Sequence, residues 1–205
     1  MQVNNCEQRT PEWHEARQGR ITGTGLKKIV GTKAVKDNYF YEALAERLSL
    51  QSVKEQSDLD RGVEMEDVAL AEFEAKTGKI VQQVGFCTRD DNQFIGNSPD
   101  GLIENNGKYT EALEIKCPSS AKHLRYIEEN KIPEEYYAQC IQYFIVNDDL
   151  QTLYFMSYDD RIPGWEVFIK EMHRDEILED IEYYKERQEE FIKEIDEAVS
   201  RYISF

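Results

Sequence analysis

The sequence has no C-x-x-C pair and few histidines. Its four cysteines, Cys6, Cys87, Cys117 and Cys140, lie far apart, and there are three histidines. Zinc sites use ligands at short spacings and iron–sulfur clusters use grouped cysteines, so we predict neither kind of site. We expect free cysteines, two of them buried as small apolar residues, and histidines at the surface or at helix ends.

Long apolar runs are also lacking. No stretch approaches the roughly 20 apolar residues that a membrane-spanning helix needs. The first eight residues contain neither the basic nor the apolar region of a signal peptide, so we expect a cytoplasmic protein. At 205 residues the chain is long enough to bury a core, and we predict one domain over residues 1–205.

The charge is strongly acidic but unevenly distributed. The chain has 25 basic and 41 acidic residues, a net charge of −16, which by itself argues against a nucleic-acid-binding protein. Between Ala16 and Lys36, however, there are six basic residues and no acid. A basic site confined to one part of an acidic surface can still bind phosphate.

This basic segment contains a candidate phosphate-binding group. The stretch Thr22–Gly25 predicts the start of a helix close to Arg17 and Arg20, and helix N-termini attract phosphate through unpaired N–H groups and the helix dipole. The candidate DNA-binding residues are Arg17, Arg20, Thr22, Thr24 and Lys33. An ordinary capped helix with solvated arginines would explain the same residues equally well.

The stretch from Phe94 to Pro118 carries the strongest chemical signal. Alternation over Thr110–Cys117 predicts a strand on which Glu114 and Lys116 share one face. A hairpin with the preceding strand would bring Asp100, in the turn before that strand, close to Glu114.

Two carboxylates and a lysine suit metal-assisted hydrolysis. Hard cations such as Mg²⁺ prefer oxygen ligands, here Asp100, Glu114 and the Ile115 backbone carbonyl. Lys116 could hold an attacking water and offset charge that develops at phosphorus. The alternative is a cross-strand ion pair between Glu114 and Lys116 on a solvated sheet face.

Two more polar residues lie on apolar helix faces. Glu66 falls in the apolar stripe of a helix predicted from Leu59 to Thr77, and Gln139 falls in that of a helix from Pro133 to Val146. Such side chains need partners. Glu66 could reach a metal or an ordered water, or it could pair with an internal Arg or Lys.

Periodicity along the chain predicts a mixture of helices and strands. The other predicted helices are Pro11–Arg17, Thr22–Gly31, Tyr39–Leu50, Ser119–Asn130 and Arg174–Tyr202. The other predicted strands are Ile80–Cys87, Gln93–Asn97, Leu102–Glu104, Thr152–Tyr158 and Trp165–Ile169. We expect an exposed polar linker at Gln51–Asp58.

Five motifs in order resemble the YqaJ/lambda exonuclease family of phage recombination nucleases, within the PD-(D/E)xK nuclease superfamily. They are Trp13-His14-x-x-Arg17-x-Gly19-x-Ile21-Thr22, Gly62…Glu66, Ser98-Pro99-Asp100-Gly101, Leu113–Pro118 and Tyr137-Ala138-Gln139-x-x-Gln142-Tyr143. The resemblance implies an α/β restriction-endonuclease-like core, in which a mixed central sheet is flanked by helices. It covers nearly the whole chain up to the last strands and the long C-terminal helix.

The resemblance also implies an activity and roles for the residues. It implies Mg²⁺-dependent 5′-to-3′ digestion of one strand of duplex DNA, with Mn²⁺ as an alternative metal and two ions in the site. Asp100 and Glu114 resemble the metal ligands, and Lys116 the lysine beside the nucleophilic water. Glu66 resembles the helix glutamate of the metal site, directly or through water, and Gln139 the glutamine near the scissile phosphate.

Further expectations concern partners. Arg17 and Thr24 match positions that hold the 5′-phosphate, although Thr24 stands where a serine is usual. The family implies double-stranded DNA ends as substrate, a single-strand annealing protein as partner, a phage or prophage origin in a bacterial host, and a homo-oligomer, a trimeric ring in relatives close to lambda exonuclease. The rival interpretations are an endonuclease of the same superfamily and a DNA-binding module that has lost catalysis.

Overall fold

A computed structural model describes residues 1–48 and 60–203 of the chain. In chain order its strands are β1 (Gln2–Asn4), β2 (Phe86–Thr88), β3 (Gly96–Asn97), β4 (Gly101–Asn105), β5 (Lys108–Lys116), β6 (Thr152–Tyr158) and β7 (Val167–His173). Its helices are α1 (Pro11–Arg17), α2 (Gly23–Ile29), α3 (Lys33–Leu48), α4 (Asp60–Thr77), α5 (Ser120–Glu129), α6 (Glu134–Val146) and α7 (Leu178–Ile203), with a 3₁₀ turn at Arg174–Glu176. The predicted mixed α/β fold with a long C-terminal helix is confirmed.

The central sheet has four strands in the order β4-β5-β6-β7. β5 pairs antiparallel with β4 and parallel with β6, and β6 pairs antiparallel with β7. A smaller antiparallel sheet has the order β1-β2-β3. The parallel pair β5 and β6 requires a long crossover, and α5 and α6 supply it.

Successive side chains of β5 point to opposite faces of the central sheet, and both faces are buried. Leu113 and Ile115 face a cluster that includes Phe73 of α4. Ala112 faces the larger cluster, where α2, α6 and α7 pack. Glu114 lies on the same face as Ala112, so it is directed toward α6 and is fully buried.

The β4–β5 hairpin confirms the predicted pairing. Its two-residue loop is Asn106–Gly107, and both residues have positive φ, 54° and 80°. Both central positions of a type I′ turn need positive φ, which Asn tolerates and Gly adopts readily. Gly101 at the start of β4 lies opposite Leu113, so Asp100 enters the hairpin next to Glu114.

Several predicted boundaries were wrong. The third helix begins at Lys33 instead of Tyr39. Strand β2 spans Phe86–Thr88, so only Phe86 and Cys87 of the predicted strand Ile80–Cys87 pair in a sheet. The sequence prediction also missed β1, a short polar edge strand. The predicted linker Gln51–Asp58 lies outside the described residues.

The histidine prediction was wrong for His123. This residue of α5 is fully buried. Its Nδ1 is hydrogen-bonded to Ser157 Oγ and its Nε2 to the Trp165 carbonyl, each at 2.7 Å. Cys87 and Cys140 are buried and free, and burial raises the pKa of the Cys87 thiol to about 12. Within residues 1–48 and 60–203 no helix is both long and apolar enough to cross a membrane.

Candidate active site

Glu114 lies at the centre of the candidate site. Its Oε1 accepts a hydrogen bond from Gln139 Nε2 at 2.5 Å and forms an ion pair with the Lys116 ammonium. Its Oε2 accepts a hydrogen bond from the Tyr143 hydroxyl at 2.6 Å. Gln139 and Tyr143 are four residues apart on α6, so both side chains point at the same strand. A buried carboxylate is tolerable here because donors surround it.

Asp100 lies beside this carboxylate. Its Oδ2 accepts a hydrogen bond from the Ile115 amide at 2.7 Å, and its own amide donates to the Tyr143 hydroxyl at 3.3 Å. Burial and the charges of Glu114 and Glu66 raise the pKa of the Asp100 carboxyl, although Lys116 opposes the shift. The predicted approach of Asp100 to Glu114 is therefore confirmed as a matter of geometry.

Lys116 carries a firmly held positive charge. Burial lowers the pKa of its ammonium, but the Glu114 and Asp100 carboxylates outweigh burial and hold that pKa above its usual range. The ammonium also lies 5.3 Å from the centre of the Tyr136 ring. An ammonium held in this way can donate hydrogen bonds and stabilise anionic oxygens.

Glu66 was predicted either to reach a metal or an ordered water, or to pair with an internal Arg or Lys. It is half-buried on α4 and forms an ion pair with the Arg9 guanidinium. It also lies close enough to Asp100 to raise the pKa of that carboxyl. The ion pair with an arginine is therefore present, and Glu66 still faces the acidic site.

The donor set suits a hard divalent cation. In the part of the chain that the structure describes, no three His, Cys, Asp or Glu side chains form a ready ligand group, so a metal would need Asp100, Glu114 and the Ile115 carbonyl together with solvent. These are oxygen donors of the kind that Mg²⁺ takes, usually with several waters retained. Burial, and after it the negative charges of Glu114 and Glu66, raises the pKa of Asp100, and a divalent cation would offset those charges.

A cationic cavity of about 230 Å³ lies near this acidic group. Four of the five predicted DNA-binding residues line it, namely Arg17, Arg20, Thr22 and Thr24. Lys28, Tyr39 and Glu42 complete part of the wall, and Lys28 pairs with Glu42 at 2.7 Å. Lys33, at the start of α3, is exposed and does not line the cavity.

The arginines of the cavity are held in place. Arg17 Nη1 donates to Ser98 Oγ at 2.6 Å, and its guanidinium lies 4.2 Å from the Trp13 ring centre. Arg20 donates to the Gln93 carbonyl at 3.0 Å and to the Ala16 carbonyl, and burial lowers the pKa of its guanidinium. Fixed guanidinium groups are well suited to phosphate recognition.

The cavity and the acidic group are neighbours in space. Ser98, which Arg17 contacts, precedes Asp100 by two residues. Gly23 packs so tightly on α6 that a Cβ there would lie 3.0 Å from Gln139 Cγ. α2 therefore begins directly beside the residue that donates to Glu114.

Sequence reasoning missed Ser98 and Tyr143 as site residues. Ser98 Oγ accepts hydrogen bonds from both Arg17 and Trp13 Nε1. Tyr143 joins Glu114 to Asp100. The spacing of four residues between Gln139 and Tyr143 was available as a signal, but a tyrosine in an apolar stripe more often indicates simple core packing.

Two experimental structures of one enzyme are similar to the chain over nearly its full length. An alkaline exonuclease, LHK-Exo from Laribacter hongkongensis, is 30% identical, with 94% of this chain and 95% of that chain covered and a TM-score of 0.83. LHK-Exo in complex with dAMP gives 31% identity, coverage of 95% and 98%, and a TM-score of 0.79.

A more distant structure shares the fold. A phage-related exonuclease from Haemophilus somnus is 13% identical, with a TM-score of 0.56 over 92% of this chain and 98% of that chain. No curated protein sequence matches the chain. The family model described as the YqaJ-like viral recombinase domain matches residues 12–149, which include Arg17, Glu66, Asp100, Glu114 and Gln139. The chain therefore belongs to the YqaJ-like viral recombinase family.

Proposed function

We propose that the protein is a Mg²⁺-dependent exonuclease that digests one strand of linear duplex DNA from its 5′ end and leaves a 3′ single-stranded tail. The observation that carries the proposal is the position of a cationic cavity next to the Asp100–Glu114–Lys116 group. Membership of a viral recombinase family and the likeness to an alkaline exonuclease support it.

Asp100, Glu114 and the Ile115 carbonyl would hold the metal, with Glu66 contributing directly or through water to a site for two ions. When bound, Mg²⁺, or Mn²⁺ in its place, lowers the pKa of a coordinated water and offsets negative charge on phosphate oxygens. Gln139 and Tyr143 fix the orientation of Glu114, as partners of metal-binding carboxylates usually do.

The side chains divide the hydrolytic step among them. The oxygen of a water forms a bond to phosphorus, the P–O3′ bond breaks, and the O3′ of the released nucleotide takes up a proton. Lys116 orients the water and stabilises the oxyanion. The remaining strand then carries a new 5′-phosphate.

The cavity lined by Arg17, Arg20, Thr22 and Thr24 would hold that terminal 5′-phosphate. Guanidinium groups and hydroxyls suit its charge and geometry. Binding of the terminal phosphate would fix the distance from the strand end to the scissile bond, which accounts for exonucleolytic cutting and for its 5′-to-3′ direction. Lys33, exposed on α3, would contact DNA outside the cavity.

In a recombination pathway, the 3′ tail would be passed to a single-strand annealing protein. A homo-oligomer, in the form of a trimeric ring around the duplex, would keep the enzyme on its substrate. We base both proposals on the family resemblance. In both, the enzyme first binds the end of a DNA duplex.

A time course with Mg²⁺ on duplexes labelled at either end tests the reaction and its polarity. We expect loss of 5′ label as mononucleotide from a 5′-phosphorylated linear duplex, slower digestion of a 5′-hydroxyl duplex, and no cutting of a closed circle. Efficient cutting of the circle would identify an endonuclease instead. Equal rates on both linear duplexes would disprove the 5′-phosphate pocket.

A Lys116→Ala variant tests the assignment of the site. We expect it to bind duplex DNA like the wild type and to lose cutting. The matched control is Lys108→Ala, which removes a lysine at the other end of the same strand, where Lys108 pairs with Asp149 at the surface. Full activity of Lys116→Ala would refute the assignment, and inactivity of the wild type on every duplex would favour a binding module.

A further inference from the structure

A second cavity, of about 430 Å³, borders the acidic group and shares no lining residue with the cationic cavity. Its wall includes the segment Asn5–Arg9 together with Glu66 and Asp100. This segment precedes α1, which carries Arg17. The N-terminal residues therefore contribute to the surroundings of the acids, a contribution outside the roles assigned above.

Arg9 has an unusual backbone conformation for its residue type. Its φ is +68°, in the left-handed region that favours glycine. Hydrogen bonds hold both neighbours of Arg9 in place. Gln8 Nε2 donates to the Val84 and Pro99 carbonyls at 3.1 and 3.0 Å. Thr10 Oγ1 accepts a hydrogen bond from the Trp13 amide at the start of α1. Outliers that the surroundings enforce in this way concentrate at functional sites.

The Arg9 side chain points at the acidic site. Its Nη2 pairs with Glu66 Oε2, and 47% of the side chain is exposed. A guanidinium carries five N–H donors in a rigid fork, and the pair with Glu66 uses one nitrogen. The donors that remain can face a second anion while Glu66 keeps the fork oriented.

Charge balance favours a phosphate as that anion. Glu7, Glu66, Asp67 and Asp100 line this cavity and Glu114 lies beside it, so these acids would repel a DNA strand. Lys116 is committed to Glu114, whereas Arg9 is the more exposed cation at the edge of the group, at 47% against 24% for Lys116. Alongside a bound metal, such a partner favours the approach of a phosphate next to the scissile bond to these carboxylates.

We propose that Arg9 binds a backbone phosphate of the cleaved strand beside the acidic group and is positioned for this by Glu66. The inference rests on the proposed nuclease function and adds a second phosphate contact, in a cavity that shares no lining residue with the cationic one. Arg9 is thus a substrate-binding residue supplied by the segment before α1.

The test measures binding of a short 5′-phosphorylated duplex by fluorescence anisotropy, at constant Mg²⁺, in a Lys116→Ala background that does not consume the duplex. We expect Arg9→Ala to weaken binding about tenfold, since a charge-assisted hydrogen bond is lost. The slope of log K against log salt should fall by about 0.9, because one phosphate contact is removed. Arg9→Lys should restore the slope.

Arg187→Ala is the matched control, since Arg187 of α7 pairs with Glu190 and is 44% exposed, much like Arg9. It should leave both affinity and slope unchanged. Arg9→Gly separates binding from folding: it relieves the left-handed backbone, so we expect a thermal midpoint equal to or above that of the parent, with the same loss of affinity and slope as Arg9→Ala.

An unchanged salt slope in Arg9→Ala and Arg9→Gly would overturn the inference and leave Arg9 as a structural partner of Glu66. A lower thermal midpoint with normal affinity would do the same. Failure of the Lys116→Ala parent to bind duplex, or of the wild type to cut it, would instead contradict the proposed function itself, so the two failures are distinguishable.

Discussion

Gln139 is an uncharged hydrogen-bond donor to the buried Glu114 carboxylate. Its replacement therefore tests how the orientation of Glu114 affects activity without changing the charge of the site. Replacement by leucine keeps the approximate size but removes the amide that donates to Oε1 at 2.5 Å. If Glu114 is the metal ligand proposed above, we expect Gln139→Leu to lower kcat roughly 10–100-fold, the usual effect of losing a partner to such a ligand, with a much smaller effect on KM. Steady-state kinetics on a linear duplex measures both constants.

The control for this prediction is Gln151→Leu, which changes an exposed glutamine just before β6. Its kcat should equal that of the wild type. A Gln139→Leu enzyme with normal kcat would show that Lys116 and Tyr143 hold Glu114 without help. Unfolding midpoints of both variants separate a catalytic loss from a folding defect.

A second residue-scale prediction concerns Asp159, whose side chain is fully buried beside Arg161. Burial raises the pKa of this carboxyl, but hydrogen bonds from Arg161 and Ser120 outweigh burial and hold the pKa below its usual range. A depressed folded-state pKa stabilises the protein above the unfolded-state pKa of about 3.9, and this stabilisation is lost as pH falls through the folded-state value.

We therefore expect Asp159→Asn to lower the free energy of unfolding at neutral pH by about 1–3 kcal/mol. The difference from wild type should shrink as pH falls below about 4. Urea unfolding at a series of pH values measures it. Asp160→Asn, at the exposed neighbour, should change stability much less. A difference for Asp159→Asn that stays constant down to the lowest pH would contradict the linkage argument.

At this scale, sequence reasoning found the charged members of the site and Gln139, but it missed Ser98 and Tyr143. A carboxylate in a short turn, or two charges spaced by two on a strand, stands out because burial of charge is costly. Ser98 and Tyr143 could not be recognised in this way, because serine in a turn and tyrosine in a core stripe are ordinary. Their roles depend on tertiary contacts with Arg17 and Glu114.

At the scale of elements, the position of α2 against α6 decides how close the cationic cavity comes to the acids. A Cβ at Gly23 would lie 3.0 Å from Gln139 Cγ and 3.2 Å from Gln139 Cα. The second contact is with backbone, so the helices would have to separate. Gly23 thus sets both the packing distance and the position of the Gln139 amide.

We expect Gly23→Val to destabilise the protein by about 1–3 kcal/mol through overpacking and to lower kcat, since it displaces Gln139. Thermal unfolding and kinetics measure the two effects. Ala34→Val, in the exposed first turn of α3, adds a β-branched residue without burial and serves as the control. A Gly23→Val protein with wild-type stability and kcat would show that α2 can move without disturbing the site.

Elements with a strong burial pattern were predictable, and those defined by pairing were not. β5 alternates between two buried faces, and its pattern predicted which residues share a face with Glu114. The stretch Ile80–Cys87 has the same extended pattern, yet most of it finds only an isolated bridge, Gln82 to Leu102. Whether such a stretch pairs in a sheet depends on a partner strand that is distant in sequence. β1 and β2, which pair with each other, are another example.

At the scale of the whole molecule, the charges are separated. Within α7 there are nine acids and four bases, and ion pairs such as Lys36–Glu194 and Arg47–Asp196 join this helix to α3. These pairs use up basic side chains away from the cavity. Within the described residues, the cations that line the cavity are Arg17, Arg20 and Lys28, and Lys28 itself pairs with Glu42.

This separation predicts a weak dependence of DNA binding on salt. Each contacted phosphate contributes a slope of about −0.9 to log K against log salt, so contacts to the three cavity cations give about −3 for one protomer. The proposed contacts of Lys33 and Arg9 would bring the slope to about −4.5. The acidic remainder of the surface repels the duplex and should suppress binding to internal sites.

Anisotropy titrations between about 50 and 200 mM salt, with the Lys116→Ala variant and a 5′-phosphorylated linear duplex, measure this slope. A closed circle of the same sequence should compete poorly, because it offers no strand end to the cavity. A slope steeper than roughly −6 would require six or more phosphates in contact, more than these cations can supply in one protomer. Such a slope would therefore indicate that several protomers contact one duplex, as a ring of subunits would, and sedimentation of the complex would then count them.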